Sequence, residues 1–195
     1  MKKRPSRLLS SSGQTLVEFA MVLPLVMVLV LGVVEVGYAL LDQHVVTKLT
    51  REGSNLISRD TSIQAAFTAL NGMSTKPVNF ASNSKLIFSV LRKVPTVGAP
   101  NYDKVILYQR NTYGSGSQAS VLVPGTYTMG TAPDFQAPNS DADTSLQIPV
   151  LPANLSLATG GMLYITEIYT QHTLLTPFDK FGITIPSTLY SIAYF

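Results

Sequence analysis

Residues 13–41 read GQTLVEFAMVLPLVMVLVLGVVEVGYALL, an apolar stretch broken by two acids. As a helix, residues 19–41 run about 35 Å at ~1.5 Å per residue, enough to cross a hydrocarbon core of ~30 Å. Two carboxylates disturb the apolar character. Glu18 stands at the threshold, and Glu35 interrupts the run after residues 19–34. A lone acid inside a membrane helix costs on the order of 2.5–3.5 kcal/mol on insertion scales, so each needs a partner or water. Glu35, near the outer boundary, fits either a partner within a helix bundle or a carboxylate reaching the water layer. Pro24 removes one backbone hydrogen bond, which predicts a bend or loosening that neighbouring helices can cover.

Charge predicts the orientation. Lys2, Lys3, Arg4 and Arg7 supply four of the 14 Lys and Arg, leaving 10 against 11 acids in the rest of the chain. The flank before the helix is basic and the one after it, Asp42, Gln43 and His44, is not, so the N-terminus is expected in the cytoplasm and the remainder exported. The near-neutral remainder does not read as a nucleic-acid surface. A secretory signal peptide cut after Gly37-Tyr38-Ala39 competes with a permanent anchor. Its apolar region would exceed the usual ~7–15 residues, and Glu35 sits badly just before the cut.

At 195 residues the chain has room for one membrane helix and one modest domain. It contains no cysteine, which excludes disulfides, thiolate zinc sites and cysteine nucleophiles.

Gly13 followed by Gln14-Thr15-Leu16-Val17-Glu18-Phe19 resembles a type IV prepilin cleavage motif. The start of the chain is particularly similar to the TadE-like proteins of tight-adherence pili, with a V-E-F element followed by an L-P-L-rich helix. The resemblance is close from residue 13 to about residue 60 and loose beyond, where LYITEIYTQHTLLTPF (163–178) is similar to a late strand and loop of that family. It implies cleavage after Gly13 by a prepilin peptidase, a mature chain beginning at Gln14 with Glu18 as its fifth residue, and assembly with other pilins and an assembly platform. Glu18 would then face a new ammonium at Gln14, on its own chain or a neighbour's, one helical turn away. Gly13 suits a protease subsite because it can be held extended at little steric cost. The plainer reading is that Gly13 ends a Ser-rich leader and Glu18 complements the dipole of a helix N-terminus.

Beyond the membrane, Val45 or Val46, Leu49, Leu56 and Ile57 recur near helical spacing, so the helix is expected to continue and pack on a domain, although Gly53 weakens it. Thr61 and Gln64 offer a capping box for a second helix with Ile63, Phe67 and Leu70 on one face, stopped by Asn71-Gly72. Residues 85–91, 105–110, 162–170 and 189–194 are rich in β-branched, aromatic or leucine residues and predict strands. The expected fold is α+β: a long N-terminal transmembrane helix extending into an antiparallel sheet domain, pilin-like by the resemblance.

Residues 111–161, rich in Gly, Ser, Thr and Pro, predict a surface excursion with two short strands near 119–123 and 126–129. Within it Asn139, Asp141, Asp143 and Ser145 alternate like calcium ligands, but Thr144 and Val150 stand where an EF-hand needs glycine and a bidentate acid, so a solvated acidic turn is expected. His44 and His172 lack sequence neighbours at metal spacing; His44 reads as interfacial and His172 as a strand end. No nucleophile elbow occurs, and GSGSQ (114–118) sits in a loop-like context.

The organisation expected is a leader over 1–13, a transmembrane helix over 14–41 and an exported domain over 42–195. The function expected is a minor pilin or pseudopilin held in the lipid bilayer of the inner membrane, without catalysis, cofactor or metal. An uncleaved membrane-anchored enzyme or binding protein, or a type II secretion pseudopilin, remain alternatives.

Overall fold

A computed structural model describes residues 11–122, 127–151, 155–176 and 187–195. The basic leader positions 2–7 lie outside the described residues, as do residues 177 and 178 of the late loop.

Helix α1, Ser11–Ser58, is continuous over 48 residues. It has two halves of different chemistry. Large side chains of the first half, Leu16 to Val34, are all exposed, with Leu16 71%, Met21 74% and Val33 74% accessible. The second half buries Val46, Leu49, Thr50, Ser54 and Ile57, a spacing of three and four residues that places them along one stripe. The predicted continuation past the membrane-length stretch is therefore present. Gly53 lies on the same stripe for a packing reason: a Cβ there would stand 2.8 Å from Thr166 Cγ2 and 3.0 Å from Leu70 Cδ1. The glycine that weakens the helix is what lets it approach the sheet.

Helix α2, Ile63–Met73, follows. Its N-cap is Ser62, whose hydroxyl accepts from the Ala65 N–H at 3.3 Å, rather than Thr61 as the sequence suggested. Ser62 is one residue nearer the first apolar position, so its oxygen faces the third helical N–H. Ile63, Ala66 and Leu70 are buried, and Phe67 packs beside them, stacked on Tyr113 at 3.8 Å between centroids. The helix passes Asn71-Gly72 and ends at Met73, with Ser74 as its C-cap.

Strands β1 (Lys85–Lys93), β2 (Val105–Gly114), β3 (Met162–Gln171) and β4 (Thr188–Tyr194) form one antiparallel sheet in the order β2-β1-β3-β4. All four predicted strands are present, within a few residues at each end. The fold is α+β. Strand β2 runs four residues further into the predicted excursion than its apolar pattern showed, ending at Gly114 with φ +99° where a Cβ would meet the Ser84 carbonyl oxygen.

The sheet has a core on each face. Leu86, Phe88, Val90 and Ile168 pack with Val46, Leu49 and Ile57 of α1 and with Ile63 and Leu70 of α2. On the other face Leu91, Ile106, Leu107, Leu163 and Ile165 pack with Leu122, Leu146 and Ile148 from the excursion. A sheet face that is not solvated needs a cover, and here irregular chain supplies it. Neither short strand predicted inside the excursion is found among the described residues; residues 123 and 126 of those predictions lie outside them. In their place are a 3-10 turn at Thr144–Leu146 and single bridges between Ile106 and Gln147 and between Gln109 and Gln136.

Irregular chain over a sheet must satisfy its polar groups from side chains. Arg110, 5% exposed, donates to Ser89, Tyr127, Ser120 and the Leu122 carbonyl. Buried Glu167 accepts from the Ser120 hydroxyl, from the Val121 N–H at 3.0 Å and from the Tyr190 hydroxyl at 3.2 Å. This pair of charges pins residues 120–122 to the sheet.

Candidate functional site: the apolar half of the helix and its junction with the domain

Gly13, Gln14, Glu18 and Phe19 are all exposed on the first turns of α1. The Gln14 side-chain amide donates to Glu18 Oε1 at 3.0 Å, so the two residues already share one face at a spacing of four. Among the described residues, nothing beyond its own stretch of helix stands within 4 Å of where a Gly13 side chain would be. Pro24 lies inside α1 without ending it, and its missing N–H leaves the Ala20 carbonyl without its helical donor.

From Leu16 to Val34 no described residue of the domain touches the helix closely enough to bury a large side chain. Helix α1 is long and apolar enough to cross a membrane by length and composition. An exposed apolar surface of this extent on a single chain needs lipid or other helices around it.

The junction with the domain begins at Glu35, and sequence reasoning missed how. Glu35 is 2% exposed, and its environment is neither a helix bundle nor solvent. Residues 172–176, just after β3, fold over it. Glu35 Oε2 accepts from the Thr176 N–H at 2.9 Å and from the Thr176 hydroxyl at 2.7 Å. The Leu175 N–H reaches both oxygens, at 3.2 and 3.1 Å. His172 Nε2 completes the set at 3.1 Å from Oε1. The other ring nitrogen, Nδ1, lies 2.6 Å from Asp42 Oδ2.

Two carboxylates of one helix therefore hold the two nitrogens of one imidazole. Residues 35 and 42 are seven apart, two helical turns, which puts them on the same face. A neutral imidazole has only one N–H to donate, whereas the imidazolium donates from both nitrogens. Burial by itself lowers the His172 pKa, but the hydrogen bonds to Asp42 and Glu35 and the charges of both acids outweigh it and hold the group above the ordinary histidine value. A carboxylate and an imidazolium, each 2% exposed at the side chain, form a paired and hydrogen-bonded junction where either alone would be costly. The sequence carried a trace of this: two acids seven apart on the helix, and a histidine at a strand end, which is where His172 sits.

The remaining candidates have structural employment or lie apart. Asp141 pairs with Arg92 and accepts from the Thr96 hydroxyl at 2.6 Å. Asp143 Oδ1 accepts from the Ser145 N–H at 2.9 Å and hydroxyl at 2.6 Å, capping the 3-10 turn. The acidic alternation is thus a partly exposed turn whose carboxylates are bonded to neighbouring side chains and N–H groups. His44 is exposed on α1, away from His172.

No curated protein and no solved structure matches the chain. Residues 13–55, which span the exposed apolar half of α1, the Glu35–Asp42 junction and the first buried stripe, match the family model described as TadE-like protein. That helix is the part of the chain that is similar to the TadE-like family.

Proposed function

We propose that this chain is a minor pilin or pseudopilin of a tight-adherence pilus, anchored in the inner membrane by the first half of α1 and assembled through it. The observation that carries the reading is a helix with bare apolar sides over residues 16–34 that belongs to the TadE-like match. In this reading the N-terminus is cytoplasmic, the sheet domain lies outside, and a prepilin peptidase cuts after Gly13. The protein binds and builds, and turns over no substrate.

The arrangement at Gln14 and Glu18 supports the processing step. A new α-ammonium at Gln14 would sit one turn from Glu18, the same distance along the helix that the Gln14 side chain already bridges. In a filament of packed helices, the Glu18 carboxylate of one subunit would neutralise the ammonium of the next.

Mass analysis of the membrane form tests this directly. The expected chain begins at Gln14 in cells with an active prepilin peptidase, and Gly13→Leu leaves the leader in place. A wild-type protein that keeps residues 1–13 in such cells would exclude processing.

A further inference from the structure

Beside the junction lies a cavity of about 460 Å³ whose walls include Tyr38 and Asp42 of α1, Lys76 and Asn79 from the segment after α2, and His172 and Leu175 of the late loop. Its height along the helix is informative. A hydrocarbon core of ~30 Å takes about 20 helical residues, so a span starting at Phe19 ends near Tyr38. The cavity then opens in the headgroup layer. Leu175, 56% exposed, sits beside Glu35 and so meets the upper edge of the apolar core. Tyr38, 50% exposed, has the amphipathic character that suits this layer.

The polar groups of the cavity carry both signs and are not used up internally. Lys76 makes no ion pair among the described residues, and neither Tyr38 nor Lys76 makes a side-chain hydrogen bond there. Asp42 gives Oδ2 to His172 and has Oδ1 free among the described residues. A cation, a phenol and a carboxylate oxygen lining one cavity match a phosphodiester joined to a primary amine. Lysine is a point-charge donor to phosphate, and a carboxylate accepts N–H bonds from an ammonium.

The geometry points to this cavity as a binding site for the headgroup of an aminophospholipid, with the phosphate at Lys76 and Tyr38 and the ethanolamine ammonium at Asp42. The assignment rests on the membrane-anchored reading above, because a span starting near Phe19 is what brings the cavity to headgroup depth. The bound lipid would fix the depth of the helix and the tilt of the domain above it. A choline headgroup has the same phosphate but no N–H to offer Asp42, so the site distinguishes the two zwitterionic lipids.

The test uses the full chain reconstituted in nanodiscs of phosphatidylethanolamine or phosphatidylcholine, each with the same fraction of phosphatidylglycerol, followed by native mass spectrometry of lipid retained on the released protein. Retention of phosphatidylethanolamine is expected to exceed that of phosphatidylcholine by about tenfold, the size of one charge-assisted hydrogen bond. Lys76→Ala should abolish retention and Lys76→Arg should restore most of it. Equal retention of both lipids, or retention indifferent to Lys76→Ala, overturns the assignment. Displacement by millimolar inorganic phosphate alone would mark a soluble-anion site and overturn it as well. Flotation with liposomes separates the two readings: protein that floats but shows no headgroup preference refutes only the site, whereas protein that does not float refutes the anchor and the site together.

Discussion

Glu35 and His172, 137 residues apart in the chain, meet at 3.1 Å with both side chains almost completely removed from solvent. One lies on the helix that carries the apolar surface and the other at the end of a central strand, so their contact ties the domain to the helix just where the bare half begins. Removing one member should cost more than the contact itself. Glu35→Ala strips the acceptor from His172, the Leu175 and Thr176 N–H groups and the Thr176 hydroxyl together, and the expected loss is about 3–5 kcal/mol. Thr176→Val removes a single hydroxyl and should cost about 1 kcal/mol. Denaturant unfolding in detergent, followed by tyrosine fluorescence because the chain has no tryptophan, measures both. Equal effects would mean that Glu35 is not the centre of the junction.

The same pair predicts a pH dependence of definite sign. His172 is held above the ordinary histidine value of ~6.5 in the folded protein, so the folded state binds its proton more tightly than the unfolded chain does. That contribution is fully present below ~6.5 and is lost as pH rises through the folded-state value. The denaturation midpoint should therefore fall on the alkaline side of ~6.5, and the fall should be missing from His172→Gln. A midpoint that rises over that interval, or a slope unchanged by the substitution, would contradict a doubly bonded imidazolium.

What the sequence made legible divides along the range of the interactions. Strands β1 to β4 announce themselves by runs of β-branched and aromatic residues, and the buried stripe Val46, Leu49, Ile57 by helical spacing, because each signal lies within one element. The partner of Glu35 does not, since nothing in residues 30–40 tells which distant loop will fold over it. The cover on the second sheet face was equally hidden. Leu122 lies in the short run Val121-Leu122-Val123, while Leu146 and Ile148 stand singly among Ser, Gln and Pro, with no period to reveal that all three are buried. Membrane exposure and a buried domain face also use the same residue types, so α1 reads as one apolar helix although its halves face different surroundings.

Gly53 sets two effects against each other. Alanine favours a helix interior by about 0.8–1 kcal/mol over glycine. Against this, the added Cβ would meet the branched Thr166 side chain at 2.8 Å, inside a buried contact that must shift, at a cost of about 1–3 kcal/mol. Gly53→Ala should therefore destabilise the domain slightly despite better helix propensity. Thr166→Ala opens the space, and its buried hydroxyl has no hydrogen-bond partner among the described residues to lose. Gly53→Ala combined with Thr166→Ala should then be more stable than Thr166→Ala alone. A double-mutant cycle by denaturant unfolding reads the coupling, and simple additivity would remove the steric explanation for the glycine.

Glu18 is the residue on which the assembly proposal turns, and two roles can be separated by one substitution. If the carboxylate only complements the dipole at the start of α1, Glu18→Gln costs a few tenths to about 1 kcal/mol and the protein still assembles. If it neutralises the ammonium of a neighbouring subunit in the apolar filament core, the change leaves a buried charge unpaired. Broken buried pairs cost about 3–5 kcal/mol, and each ~1.4 kcal/mol is tenfold in an equilibrium, so incorporation should fall by roughly a hundredfold or more. Glutamine keeps the side-chain length and still accepts from Gln14, so the helix itself should form normally. Cleavage, which depends on Gly13, should persist. The expected result is a trimmed chain that accumulates in the membrane and does not co-purify with other pilins. Normal co-purification of the trimmed Glu18→Gln protein would leave the carboxylate with only its local role at the helix start.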